Sequence, residues 1–220
     1  MKTTLSKRLS AIYDMVPYGV VGDVRADHGK LIISLLENQR ISKGVAIENK
    51  KGPYNHLVQA INDSEVKELV LPQFADGISE LPSDVSTIII AGMGGFSILK
   101  ILEKDIQKLK NVDTIIVDAH NAIDTVREGI VKLGYHISNE QIVFEDDIYY
   151  EIIRFDKGHQ DYDETDYLFG PILRKEKTEL FIKKWQKRIN DINSLLCKEN
   201  LSNSRKEELL KEKERINEAL

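Results

Sequence analysis

The sequence predicts an α/β protein whose mostly parallel sheet ends in an antiparallel hairpin, followed by an antiparallel helical hairpin. Three observations carry that expectation. From Val20 to about Phe155, short apolar runs alternate with stretches of helical period, the pattern of strands joined by crossover helices. The last two apolar runs, 141–145 and 149–155, are separated only by a turn around Asp146-Asp147. That is too little chain for a crossover, so these two strands pair antiparallel. Beyond Phe169-Gly170-Pro171 the chain turns charged and helical.

Taken in order, the expected strands are 20–23, 44–47, 68–72, 87–91, 114–118, 141–145 and 149–155. Apolar spacings of three and four predict helices over 30–38, 52–61, 96–109 and 122–133. The polar stretch Lys157-Gly158-His159-Gln160-Asp161-Tyr162 reads as a linker, giving a sheet domain over 1–160 and a helical domain over 161–220. In the latter, Phe181, Trp185, Arg188, Ile192 and Leu195 are spaced like a coiled-coil seam. After a break at 200–203, a second helix carries Leu209, Leu210, Ile216 and Leu220, so the two are expected to close on each other.

Composition narrows the class of protein. At 220 residues with 41% hydrophobic content the chain can bury a real core. The single cysteine, Cys197, excludes an internal disulfide or a Cys-rich zinc site and is expected as a small buried hydrophobe. No window approaches the length of a membrane span, and no apolar run follows the basic N-terminus, which places the protein in the cytoplasm with no membrane partner. A net charge of −5 argues against a surface that grips nucleic acid everywhere, while a local basic face remains able to do so. The helix holding Lys183, Lys184 and Lys187 has such a local excess.

Chemistry concentrates where strands end. The run Ile90-Ala91-Gly92-Met93-Gly94-Gly95 follows an apolar strand, and glycines there let backbone approach a ligand in the crevice beyond the strand ends. The first strand runs into Gly22-Asp23-Val24-Arg25-Ala26-Asp27-His28-Gly29-Lys30, and the second ends in Ile47-Glu48. An acid closing the second strand suits ribose hydroxyls, which makes Glu48 the ribose candidate. The turn after strand one lacks the glycines of a dinucleotide fingerprint, and Asp23 and Asp27 would repel phosphate. Carboxylates suit a cationic cofactor without phosphate, such as S-adenosylmethionine. Asp76-Gly77 supplies a further acid that can meet the amine of an adenine.

These residues fall in a recognisable order. Leu5-Ser6-Lys7-Arg8-Leu9, Asp27-His28, Gly52-Pro53-Tyr54, Asp76-Gly77, the 90–95 run, Tyr149-Tyr150-Glu151, Phe169-Gly170-Pro171, Glu176-Lys177 and Lys184-Trp185 span nearly the whole chain. In this the sequence resembles the bacterial tRNA (adenine-22-N1)-methyltransferases, a Rossmann-like class I family with a C-terminal coiled coil. The resemblance implies methylation of adenine N1 in the D-arm of tRNA, with S-adenosyl-L-methionine as cofactor; a monomeric enzyme without a metal is expected. It implies that Asp23, Asp27, His28, Glu48, Asp76, Gly77, Gly92, Met93, Gly94 and Gly95 line the cofactor pocket, with Asp27 catalytic. Lys7, Arg8, Tyr54, His120, Asn121, Lys183, Lys184 and Lys187 are then the expected tRNA contacts. Two segments depart from the family pattern: Arg25 stands where a glycine is usual, and Asp118-Ala119-His120 replaces Gln-Pro-Asn. These departures leave open a methyltransferase for another RNA or small substrate, and a non-catalytic tRNA-binding relative.

Overall fold

The computed structural model describes residues 4–26, 28–198 and 201–220; the expected catalytic residue Asp27 lies outside the described residues. The chain forms two compact units, Met1–Asp161 and Tyr162–Leu220.

The first unit opens with a helix, α1 (Lys7–Met15), and continues through β1 (Val20–Val24), α2 (Lys30–Glu37), β2 (Lys43–Glu48), α3 (Lys51–Asn62), β3 (Val70–Phe74) and β4 (Thr87–Met93). There follow α4 (Gly95–Lys104), β5 (Thr114–Ala119), α5 (Ile123–Lys132), β6 (Tyr135–Glu145) and β7 (Ile148–Lys157). One seven-stranded sheet results, in the order β3-β2-β1-β4-β5-β7-β6. All neighbours are parallel except β7, which runs antiparallel to β5 and β6. The central strands read as uninterrupted apolar runs because helices cover both faces: Ile88, Ile89 and Ile90 are fully buried, as are Ile115, Ile116 and Val117. Gly44 sits where a Cβ would come within 2.5 Å of Ile32, so α2 lies directly on β2.

Several elements differ from expectation, each for a local reason. The first helix was not anticipated, although the Ser6 hydroxyl caps it by accepting the Leu9 N–H, and Ala11, Ile12 and Met15 bury one face. The third strand starts two residues later than expected because 67–69 close a 3-10 turn. Pro72 is tolerated there since β3 is an edge strand. The expected helix over 96–109 breaks at Asp105 into α4 and a 3-10 segment. The greatest difference is β6, which begins at Tyr135 rather than 141. Its register shifts between Ile137 and Asn139, so buried positions move from Tyr135 and Ile137 to Glu140 and Ile142 and the period-two pattern is hidden.

The second unit comprises α6 (Glu164–Phe169), α7 (Pro171–Glu176), α8 (Glu179–Leu196) and α9 (Asn203–Ala219). The two short helices were not expected; a capping box on Asp163 starts α6, and Pro171 occupies the first turn of α7. Lys177, just ahead of α8, donates to the Leu220 carbonyl, while Arg188 pairs with Glu212, so α8 and α9 run in opposite senses. The seam is Phe181, Trp185, Ile189 and Ile192 against Leu209, Ile216 and Ala219. Arg188 lies beside it in a bidentate pair at 2.6 and 2.8 Å, and Leu210 faces out. Cys197 is exposed, not buried, because it follows the last turn of α8. Among the described residues, no helix is long and apolar enough to cross a membrane.

Candidate active site

Strand order reverses between β1 and β4, the position at which open α/β sheets bind ligands beyond their carboxyl ends. A cleft of about 450 Å³ lies there, walled by Arg25, Glu48, Asn49, Asp76, Met93 and Lys104 among others. Glu48 ends β2 and is buried, and its Oε1 accepts the backbone N–H groups of Asn49 (2.9 Å) and Lys50 (3.0 Å). The carboxylate is thereby fixed in orientation, with its second oxygen outside those two bonds. Asp76 stands exposed on the rim, accepting from Lys104 Nζ (3.0 Å) and Asn49 Nδ2 (3.1 Å). The lysine bond first, and then the amide, hold its carboxyl below the usual range. Gly77 follows with φ 68 and no room for a Cβ against Ile101.

A second cleft, about 180 Å³, is bordered by Arg8, Asp23, Arg25, His28, Lys30 and Ala91 among others. Asp23 is 5% exposed near the end of β1, and burial pushes its pKa up to about 7. His28 stacks on His56 with ring centroids 5.7 Å apart. Arg25 forms part of both clefts' walls. Its backbone is left-handed, φ 63, with its N–H donating to the Ile47 carbonyl at 2.8 Å. For a non-glycine residue that conformation costs about 1 kcal/mol.

A third cluster gathers at the ends of β4 and β5. Arg8 of α1 donates to the wholly buried Asp118 at 2.7 Å and lies 5.2 Å from the centre of the Tyr150 ring. His120 meets Tyr150 edge-on at 6.3 Å. Burial raises the Asp118 pKa against the opposing pull of the Arg8 guanidinium. Gly92, with φ 74, faces both Arg8 and His120. The Asn121 side chain accepts the Gly95 N–H at 3.0 Å, and a Cβ on Gly95 would stand 2.6 Å from the Asn121 carbonyl. Gly95 therefore serves the junction of α4 with the loop before α5. Fully buried Arg127 bridges Glu140 (2.7 Å) and Glu151, the chain neighbour of Tyr150, tying α5 to β6 and β7.

Of the residues expected at the site, Glu48, Asp76, Gly77 and Met93 meet in the first cleft, Asp23 and His28 in the second, and Gly92, Arg8, His120 and Asn121 in the third cluster. Gly94 caps α4 close to Asn121. Lys7 starts α1, where its backbone N–H binds Glu145. Tyr54 packs edge-on against the exposed Phe74 at 5.3 Å. Lys183, Lys184 and Lys187 belong to α8 in the other unit; Lys183 pairs with Glu179, and Lys184 lies over Trp185. Sequence reasoning missed the Arg8–Asp118 pair and the roles of Asn49 and Lys104, since residues far apart in sequence gave no pairing signal.

Known proteins resemble the chain over nearly its whole length. The family model of the tRNA (adenine(22)-N(1))-methyltransferases matches residues 21–220. A Bacillus subtilis tRNA (adenine(22)-N(1))-methyltransferase is 31% identical over 199 residues, covering 87% of this chain and 84% of the relative. A Streptococcus pneumoniae protein crystallised with S-adenosyl-L-methionine superposes with a TM-score of 0.92 at 32% identity, over 99% of this chain and 100% of that one. The crystal structure of the Bacillus subtilis m1A22 tRNA methyltransferase gives 0.89 at 27% identity, over 99% of each chain. This chain, matched over 21–220, belongs to the tRNA (adenine(22)-N(1))-methyltransferase family.

Proposed function

We propose that this protein methylates N1 of adenine 22 in tRNA with S-adenosyl-L-methionine as methyl donor, through the residues of the three clusters. The observation that carries the site assignment is Glu48, a buried carboxylate fixed by two backbone N–H groups at the end of β2. Its second oxygen suits a ribose diol, and Asp23 on the adjacent strand suits an ammonium. The cofactor supplies, when bound, a methyl group on a positively charged sulfur. Asp76 and Gly77 border the adenine end, Met93 forms the opposite wall, and His28 closes the amino-acid end.

The target adenine is assigned to the side bounded by Gly92, Arg8, His120, Asn121 and Tyr150, where aromatic, amide and guanidinium groups gather at the ends of β4 and β5. Neutral adenine N1 already has a lone pair, so the residues need chiefly to align it with the reacting carbon. The new N–C bond forms as the S–C bond breaks, and the electron pair stays on sulfur. Asp27 is proposed, from its sequence position alone, to accept a hydrogen bond from the exocyclic amine. Lys7, Tyr54, Lys183, Lys184 and Lys187 are proposed to meet tRNA, the lysines through phosphate and Tyr54 by stacking. The enzyme is proposed to act as a cytoplasmic monomer, and without a metal, because the sulfonium donor departs as a neutral thioether that needs no Lewis acid.

The test is transfer of labelled methyl from S-adenosyl-L-methionine to unmodified tRNA, with the product digested and its nucleosides identified by mass. Labelled 1-methyladenosine is the expected product; a different methylated nucleoside, or no transfer, overturns the reading.

A further inference from the structure

We propose that Arg25 holds the carboxylate of the cofactor's amino-acid end, an assignment that rests on the S-adenosyl-L-methionine reading above. Three observations lead to it. The first is conformational. Arg25 adopts φ 63, and its N–H and that of Ala26 both donate to the Ile47 carbonyl, at 2.8 and 3.2 Å, which locks the turn after β1 against the end of β2. Glycine takes this backbone geometry freely, so a long cationic side chain is held at a point the backbone resists, as is common for residues that contact ligands.

The second observation is position. Arg25 is shared by the wall of the first cleft, with Glu48, and that of the second, with Asp23. A ligand reaching from the ribose site to Asp23 passes it. The third is the pairing of charge. Arg8 is engaged by Asp118 and Lys104 by Asp76, whereas the Arg25 side chain makes no hydrogen bond or ion pair with the described residues. The same walls carry the acids Asp23, Glu48 and Asp76 and the further cations Lys30 and Lys100, and among these charged residues Arg25 alone borders both clefts. An amino-acid end carries both an ammonium and a carboxylate, so its site needs a cation as well as an acid. Asp23 answers the ammonium, and the guanidinium fork answers the carboxylate with two parallel N–H···O bonds.

The experiment is calorimetric titration of the full chain and its R25G, R25K and K30A variants with two ligands. One is S-adenosylhomocysteine; the other is 5′-deoxy-5′-(3-aminopropylthio)adenosine, which keeps the ammonium and lacks the carboxylate. R25G suits the left-handed turn and retains the fold. It is expected to weaken S-adenosylhomocysteine about tenfold or more and to leave the decarboxylated ligand within about twofold. R25K recovers part of the loss, and K30A, which alters the other unassigned cation at the second cleft, costs less than R25G. Equal or tighter binding of S-adenosylhomocysteine by R25G, an equal loss for both ligands, or a larger loss in K30A overturns the proposal. Failure of the unaltered chain to bind S-adenosylhomocysteine at all overturns the cofactor reading itself.

Discussion

Arg8, on the first helix, and Asp118, at the end of β5, form an ion pair of 2.7 Å in which the carboxylate is wholly buried. The pair fixes α1 over the carboxyl end of the sheet beside Gly92 and Tyr150. Arg8, expected as a tRNA contact, here balances a charge that burial disfavours.

Removing one partner is therefore costly. R8A leaves Asp118 buried without its cation and is expected to lose about 3 kcal/mol of stability in urea unfolding at pH 8. Burial already raises the Asp118 pKa, and loss of Arg8 raises it further. A carboxyl with a raised folded-state pKa gives stability at low pH that is lost as pH rises through that value, so the R8A penalty is smaller at pH 5 than at pH 8. The R8A/D118A double variant is expected to recover part of it; additive losses would show the pair to be uncoupled.

Asp23 yields a second pH dependence. Its folded-state pKa of about 7 lies above the ordinary 3.8, so its contribution is complete below about pH 4 and lost by pH 7. D23N is expected to raise stability at pH 8, by about 4 kcal/mol at most, while abolishing measurable S-adenosylhomocysteine binding. For the unaltered chain, affinity for that ligand rises with pH up to about 7 as the carboxylate forms, and then levels. Affinity for methylthioadenosine, which has no ammonium, stays flat across the same range. A parallel rise for both ligands would remove Asp23 from the ammonium site.

Much of this arrangement was legible in the sequence, and the reason is local in each case. Central strands such as 87–91 are buried on both faces and so appear as bare apolar runs. The position of Glu48 was readable because it closes the second apolar run, and the structure has it buried at the end of β2. The start of β6 was hidden because its bulge reverses the alternation at Ile137/Asn139. Arg8 with Asp118, and Arg127 with Glu140 and Glu151, were hidden because a pair 110 residues apart, or a buried triad on three elements, leaves no spacing to detect. The α8 seam differs from the expected one by one residue, since Arg188 shares the apolar spacing while Ile189 is the buried position and Arg188 pairs with Glu212 at the edge.

Two glycines separate packing from propensity. G95A is expected to destabilise by about 1–3 kcal/mol, because the new methyl would meet the Asn121 carbonyl at 2.6 Å and Val126 at 2.7 Å. G52A, in α3 with nothing beyond its chain neighbours within 4 Å of the new methyl, is expected to change stability by less than about 0.5 kcal/mol, because Pro53 opposes the helical gain at the residue before it. Thermal unfolding of the two variants gives the difference; a neutral G95A would mean that the α4–α5 junction yields more readily than its contacts indicate.

The buried triad bears on Tyr150. R127M leaves Glu140 and Glu151 facing each other without their cation and is expected to cost about 3–5 kcal/mol. Methyl transfer should fall with it even where the fold survives, because Glu151 adjoins Tyr150 at the base site. Full activity in a folded R127M variant would detach the triad from the site.

The central claim is tested most directly by mapping the product. Methylation of N1 blocks the Watson–Crick edge, so primer extension on tRNA treated with enzyme and S-adenosyl-L-methionine is expected to stop immediately before nucleotide 22. A tRNA with guanine at that position should take up no label. Label incorporated equally into both tRNAs, or a stop at another nucleotide, would contradict the account.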